Sequence, residues 1–246
     1  MPSILIVTPV HTKINEHTLR CIYELDIPDG YTVDYFQPWQ GYTTKDDKGN
    51  YDPRGRNNLT DKQNKARDIA VLMGYDYMLF VEEDMIIPPN TIQLLLDCNS
   101  GVAYGMYVFR YHPYITSCWL GIDEANIAGI SISNFPDVYK ANFDSIIDCD
   151  GVGFGCTLIH KDVFSWLPFR VGWQDHTSTG EIPHSDMFFS VDCIKHGVQQ
   201  RCNLSCKCGH ITQVNADGKP VASIMYPDKD NVVRFVEYDV FTEALE

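Results

Sequence analysis

The stretch Tyr77-Met-Leu-Phe-Val-Glu-Glu-Asp-Met-Ile-Ile-Pro-Pro89 decides how this chain is read. Five apolar residues, Tyr77 to Val81, stop abruptly at three acids, Glu82, Glu83 and Asp84. A short apolar run rich in aromatic and branched side chains is the pattern of a fully buried strand. Acids placed where it stops stand at the strand's carboxyl end, the side on which open α/β sheets bind ligands. Hard cations such as Mg2+ and Mn2+ take carboxylate oxygens and often hold substrate phosphates as well. The segment therefore points to a metal site for a phosphorylated ligand. Taken alone, it fits a solvated acidic loop after a core strand equally well.

Outward from this strand the chain alternates. Ser3 to Thr8 reads as a first strand closed by Pro9, and Gly41 to Asn58 as a polar, Gly-rich loop. A helix is predicted over 61–73. Thr60 and Gln63 form a capping box, Ala66, Ile69, Ala70 and Met73 line one face, and Gly74 ends it. Pro88 and Pro89 open a short helix running to Asp97, and Val102 to Phe109 forms the next strand. Residues 111–145 have weak periodicity. Ile146 to Ile159 carries glycines before a buried strand, followed by a short helix from Lys161 to Leu167. After a loop, Gly172 to Pro183, come a helix over 185–196 stopped by Gly197 and a strand from Gln199 to His210. That strand carries Cys206, Cys208 and His210 on one face. The tail contains a hairpin around Ala216-Asp-Gly-Lys219 and a strand from Val232 to Tyr238. Alternating strands and helices in the first half predict a mainly parallel sheet. With no internal repeat or linker, 1–246 reads as a single α/β domain.

Composition narrows the function. At 246 residues and 44% hydrophobic content, the chain has the core expected of a soluble globular protein. No apolar run approaches the ~20 residues needed to span a bilayer. The N-terminus lacks the basic flank and cleavage site of a signal peptide, so a cytoplasmic location is expected. Nine cysteines, an odd number scattered through apolar segments, read as buried thiols in a reducing compartment. A formal net charge of −14 argues against non-specific binding to a polyanion. An acidic enzyme acting on a nucleotide sugar would need a metal ion to offset charge repulsion.

Four pieces of the chain, in order, resemble the GT-A class of nucleotide-sugar glycosyltransferases, especially its family 2-like branch. The first is the opening strand with Thr8-Pro9-Val10, where such enzymes begin the nucleotide pocket. The second is the helix carrying Asn64 and Arg67, followed by Tyr75-Asp-Tyr-Met-Leu-Phe-Val-Glu-Glu-Asp84. This is similar to the family's strand and DXD signature, with Glu82 and Asp84 at the acidic positions and Glu83 between them. The third, Gly151-Val-Gly-Phe-Gly-Cys-Thr-Leu-Ile-His-Lys-Asp-Val-Phe164, resembles the acceptor-side strand and helix. The fourth, Ser185-Asp-Met-Phe-Phe189 with Gly197 and Gly209-His210, matches the family's ED…F helix and late metal-binding His. The resemblance spans about 3–212. It implies a nucleotide-sugar-binding half over about 3–110, an acceptor-side half over about 111–212 and a C-terminal extension, 213–246. Two departures stand out: Glu82 replaces the usual first Asp, and Ser185 stands where many relatives have Glu.

The resemblance implies a metal-dependent transfer of a sugar from a nucleoside diphosphate donor to an acceptor hydroxyl. Asp84 and His210, with Glu82, would hold the cation. Mixed carboxylate and imidazole ligands favour Mn2+ over Mg2+. Asp186 would be the general base. Thr8, Pro9, Val10, Asn64, Arg67, Glu82, Glu83 and Asp84 would surround the nucleotide. Gly153, among the glycines of 151–155, would let substrate approach the backbone. Trp119, Trp166 and Trp173 are candidates for a sugar-stacking surface. The acceptor class expected for a compact phage or bacterial enzyme is a soluble glycan or a modified nucleobase. Two other readings remain. A nucleotidyltransferase shares the acid-ended strand but needs a Gly-rich phosphate loop where this chain has Pro9-Val-His-Thr-Lys-Ile14. A sugar-nucleotide or glycan-binding protein that has lost catalysis is compatible with the two departures. Cys202, Cys206, Cys208 and His210 offer soft ligands, but their spacing lacks the paired geometry of common zinc sites. Alternate residues on a straight strand cannot close a tetrahedron without a bend.

Overall fold

The computed structural model describes residues 1–10, 13–38, 53–110, 114–123, 125–126, 129–171, 185–212 and 223–237. The described elements are, in order, β1 (Ser3–Val7), α1 (Glu16–Tyr23), β2 (Thr32–Phe36), α2 (Pro53–Met73), β3 (Tyr77–Val81), β4 (Met85–Ile86), α3 (Thr91–Leu96) and β5 (Val102–Met106). Then come β6 (Cys118–Leu120), β7 (Ile130–Ser131), α4 (Pro136–Asn142), β8 (Ile146–Asp148), β9 (Gly151–Val152), β10 (Cys156–His160) and α5 (Lys161–Phe164). The last are α6 (Ser185–Lys195), β11 (Gln200–Lys207), β12 (Gly209–Thr212), β13 (Ser223–Pro227) and β14 (Val233–Glu237).

Seven strands form the central sheet, in the order β2-β1-β3-β10-β5-β11-β8. β2, β1, β3, β5 and β11 share one direction, and β10 and β8 run against them. The mostly parallel α/β class expected from the sequence is therefore the observed one. Ile4 to Val7 and Met78 to Val81 are almost completely buried, as unbroken apolar runs require in the middle of a covered sheet. β1 lies between β2 and β3, so the chain turns to opposite sides after successive strands. Such a switch point opens a crevice beyond the strands' carboxyl ends. Thr8-Pro9-Val10 and Glu82-Glu83-Asp84 leave the sheet there.

A second sheet, β14-β13-β12-β4, is antiparallel. Its β12 continues β11 after a break at Cys208, so the single strand expected from Gln199 to His210 is two. The ladder to β5 shifts register between Asn203 and Lys207. A β-bulge of this kind re-aims a strand. Here it turns the chain out of the central sheet and sets His210 opposite Met85. A third small sheet, β7-β6-β9, fills the region of weak periodicity.

Several local expectations differ. α2 begins at Pro53, so 53–58 is helical rather than loop, while 41–52 lies outside the described residues. Thr60 and Gln63 sit within the helix, both buried, and do not cap it. The capping pattern arises wherever Thr and Gln fall three apart. Tertiary burial of Asn58, Thr60 and Lys62 carries the helix a further two turns toward its start. Ala66 and Ala70 are fully buried as expected, but Met73 is 67% exposed. Gly74 ends the helix at φ +74°, a conformation that costs glycine little. The strand expected over 102–109 ends at Met106 and continues as one bridge, Val108 to Thr116. The loop over 172–183 with Trp173, and the hairpin around 216–219, lie outside the described residues.

Candidate active site

The site assembles from β3 outward. Asp84 is held by its own backbone: its carbonyl accepts from Ile211 N at 2.9 Å, tying it to β12. The neighbouring ladder pair His210 and Met85 brings the imidazole beside it. His210 is 5% exposed. Its Nδ1 lies 2.9 Å from the Val108 carbonyl. A carbonyl only accepts, so Nδ1 carries the proton and Nε2 faces the other way. Nε2 is buried, has no hydrogen-bond partner, and lies 3.6 Å from Asp84 Oδ1. That is too long for a hydrogen bond. In the neutral tautomer a lone pair would oppose a carboxylate, and a shared cation relieves that opposition. The donor set and the orphaned nitrogen thus fit a divalent ion bound by Asp84 and His210.

Arg110 is the third party. Its guanidinium reaches Asp84 Oδ2 at 2.7 Å. Burial works against the Asp84 charge, but the Arg110 guanidinium, and His210 when Nε2 carries a proton, hold the carboxyl below its ordinary range. Glu82 behaves oppositely. Burial, with the charges of Asp84 and Asp186 added, pushes it up to about 8, despite Arg110. A cation placed among these carboxylates would favour the charged form of Glu82.

Asp186 comes from the first turn of α6, where the helix dipole favours an acid. Its Oδ1 accepts from Met187 N at 2.9 Å. Its Oδ2 lies 3.2 Å from the point where a Cβ on Gly153 would stand. The same point would collide with the Tyr107 hydroxyl. Gly153 therefore lets the acid, the phenol and the β9–β10 turn pack together. Burial, then the Glu82 and Asp186 charges, raise the Tyr107 hydroxyl well above its ordinary pKa, although Gly155 N donates to it at 3.4 Å. Tyr107 also meets the His210 ring edge-on, centroids 5.5 Å apart.

On the β1 side, Lys62 is 4% exposed and donates to the Val10 carbonyl at 2.5 Å. Burial lowers its pKa, partly offset by Glu83. The Glu83 carbonyl accepts from Asn15 N at 2.9 Å and Thr18 Oγ1 at 3.2 Å, fixing the start of α1.

The structure thus brings Glu82, Asp84, Asp186, His210 and Gly153 to one place, with Thr8, Pro9, Val10 and Glu83 along the adjoining strand end. Asn64 and Arg67 do not join them. Asn64 grips the Phe169 main chain from both sides, at 2.8 and 2.9 Å. Arg67 donates to the Ser165 carbonyl at 2.8 Å. Ser165 follows β10, which starts beside Val81 and ends beside Tyr77. Arg67 is thereby at the end of the sheet away from the acids. Helical spacing alone does not tell which end of a helix adjoins a site. Trp166, 43% exposed after α5, lies at that same far end, whereas Trp119 pairs with Gly151 between β6 and β9.

Three contributors escape the sequence reading. Arg110 ends an apolar run as the acids end β3, and that parallel is its signal. Lys62 falls four and eight residues before Ala66 and Ala70, on the buried stripe of α2, where a lysine is out of place. Tyr107 has no signal, because a tyrosine in an apolar strand reads as core.

No family model matches the chain, and no curated protein matches it. Among solved structures it is similar to the crystal structure of A197 from STIV, with 12% identity over 96% of this chain and 94% of that one, at a TM-score of 0.52. A likeness at that identity establishes a shared α/β fold over nearly the whole chain.

Proposed function

We propose that the protein is a metal-dependent glycosyltransferase of GT-A type, moving a sugar from a nucleoside diphosphate to an acceptor hydroxyl. The observation that carries this reading is the convergence of Asp84, the orphaned His210 Nε2 and Asp186 at the switch point of the central sheet. Asp84 and His210, with Glu82, would hold Mn2+ or Mg2+, and the ion would neutralise the charge that develops on the diphosphate leaving group. The strand end Thr8-Pro9-Val10, with Lys62 beneath it, supplies the wall for the nucleotide. Asp186 would take the proton from the acceptor hydroxyl that attacks the sugar's anomeric carbon. Trp119 and Gly151 border the acceptor side. Glycans and modified nucleobases are the acceptor classes to try.

The test is release of nucleoside diphosphate from a panel of nucleotide sugars, with and without Mn2+ and candidate acceptors. A metal-dependent product that disappears in Asp84→Ala supports the proposal. Absence of both turnover and metal-dependent nucleotide binding across the panel would overturn it.

A further inference from the structure

Outside this site the molecule carries a second convergence of ligating atoms. Cys156 begins β10, Cys206 lies near the end of β11, and Cys208 is the joint between β11 and β12. All three side chains are fully buried, and their sulfurs lie within 4.8 Å of one another. Residues two apart on a straight strand point along a row. The register shift at this joint removes that restriction and brings Cys206 Sγ to 4.0 Å from Cys208 Sγ. Three thiolates around one tetrahedral ion at about 2.3 Å stand about 3.8 Å apart.

The three sulfurs pack against Gly105 on β5. A Cβ there would stand 2.8 Å from Cys208 Sγ, 2.9 Å from Cys206 Sγ and 3.1 Å from Cys156 Sγ. Gly105 thus lets β5 lie against all three sulfurs, and any side chain there would press on them. Thr91 Oγ1 lies 3.9 Å from Cys206 Sγ and donates its own proton to the Pro88 carbonyl at 2.6 Å. Its lone pairs remain available to a fourth position.

We propose that Cys156, Cys206 and Cys208 form a thiolate site for a thiophilic d10 cation, Zn2+ being the probe of choice. Binding exchanges three S–H bonds for three Zn–S bonds and releases three protons to solvent. The cation offsets the burial of charge that three bare thiolates could not sustain. Soft ligands separate this site from the oxygen and imidazole site at Asp84, which suits Mn2+. Because the sulfurs are fully buried, the ion enters before the β11–β12 joint closes. It then pins β10 to the joint that carries His210.

The experiment uses the full chain, expressed in zinc-replete medium and purified under reductant without chelator, with metal measured after acid release. The expected result is one zinc per chain, lost in Cys156→Ser and Cys206→Ser and kept in Cys21→Ser and His210→Ala. Should the cysteine variants misfold, the wild type is unfolded and refolded with Co2+. A thiolate-to-cobalt charge-transfer band in the near ultraviolet is then expected. Wild type with under about a tenth of an equivalent of zinc and no cobalt band would overturn the site. So would zinc retained by a folded Cys206→Ser, or lost from His210→Ala.

Discussion

At the scale of single residues, one carboxylate faces two nitrogen partners. Arg110 holds Asp84 Oδ2 at 2.7 Å, and His210 Nε2 faces Oδ1 at 3.6 Å. A divalent ion entering at His210 shares Asp84 with a guanidinium whose charge repels it. At an effective dielectric of 20, unit charges 4 Å apart interact by about 4 kcal/mol, and even a third of that is a factor of ten. Arg110→Gln should therefore bind Mn2+ alone about tenfold more tightly than wild type. Titration followed by the electron paramagnetic resonance of free Mn2+ checks this, and unchanged affinity would show that Arg110 does not contest the ion. In the proposed reaction Asp186 acts at a different step. A base acting on an acceptor hydroxyl works in the transition state, so Asp186→Asn should lower turnover by about 10²–10⁴-fold and leave nucleotide affinity near normal. Equal transfer rates would place the base elsewhere, or identify a retaining reaction that needs none.

At the scale of elements, the legible parts were those whose local pattern and tertiary fate agree. β3 shows its burial in every side chain, and Gly74 and Gly197 stop their helices at positive φ. The start of α2 was not legible, because burial of polar residues against the β1 end outweighs a capping pattern lying inside the helix. The break at Cys208 was not legible either. A register shift is set by the neighbouring strand, and nothing in Ser205 to His210 records it. Asn64 looked like a ligand contact and instead acts as a clasp. It satisfies both the N–H and the C=O of Phe169, whose ring packs on Phe80, Phe154 and Phe189. Asn64→Ala should cost about 1–3 kcal/mol through the two stranded backbone groups. Nucleotide affinity should be unchanged, as calorimetry beside a urea titration would show. A second tie joins the start of β3 to α5. Asp76 bonds Lys161 Nζ at 2.7 Å and Ser3 N at 2.9 Å, and these bonds hold its pKa below the ordinary value. A depressed carboxyl gives stability that is complete above its unfolded pKa and is lost as pH falls through the folded one. Wild type should be more resistant to urea than Asp76→Asn at pH 7, and the margin should shrink and vanish as pH falls below the ordinary carboxylate range. A margin independent of pH would mean that the tie acts through shape alone.

At the scale of the whole molecule, the sequence marks the acids but does not disclose how they are brought together. Asp84 and Asp186 come from opposite halves of the chain, and His210 reaches them on a strand of a different sheet. The same assembly surrounds any bound diphosphate with negative charge. The chain carries a net −14, and Glu82, Asp84 and Asp186 all act on one another or on Tyr107. Lys62 is committed to the Val10 carbonyl and Arg110 to Asp84, so these two cations, among the described residues near the site, are already engaged. A diphosphate and a divalent ion should therefore bind as a pair, each weak without the other. A ligand present at a hundred times its dissociation constant stabilises the fold by about 2.7 kcal/mol. For a domain of this size each kcal/mol moves the melting temperature by about 2–4 °C. Nucleoside diphosphate with Mn2+ should accordingly raise it by on the order of 5–10 °C, and either component alone by much less. Asp84→Ala should remove the joint effect. Equal shifts with and without Mn2+ would mean that the pocket neutralises a diphosphate with its own side chains. Arg110 would then be the residue to examine, since release from Asp84 would free its charge for the phosphates.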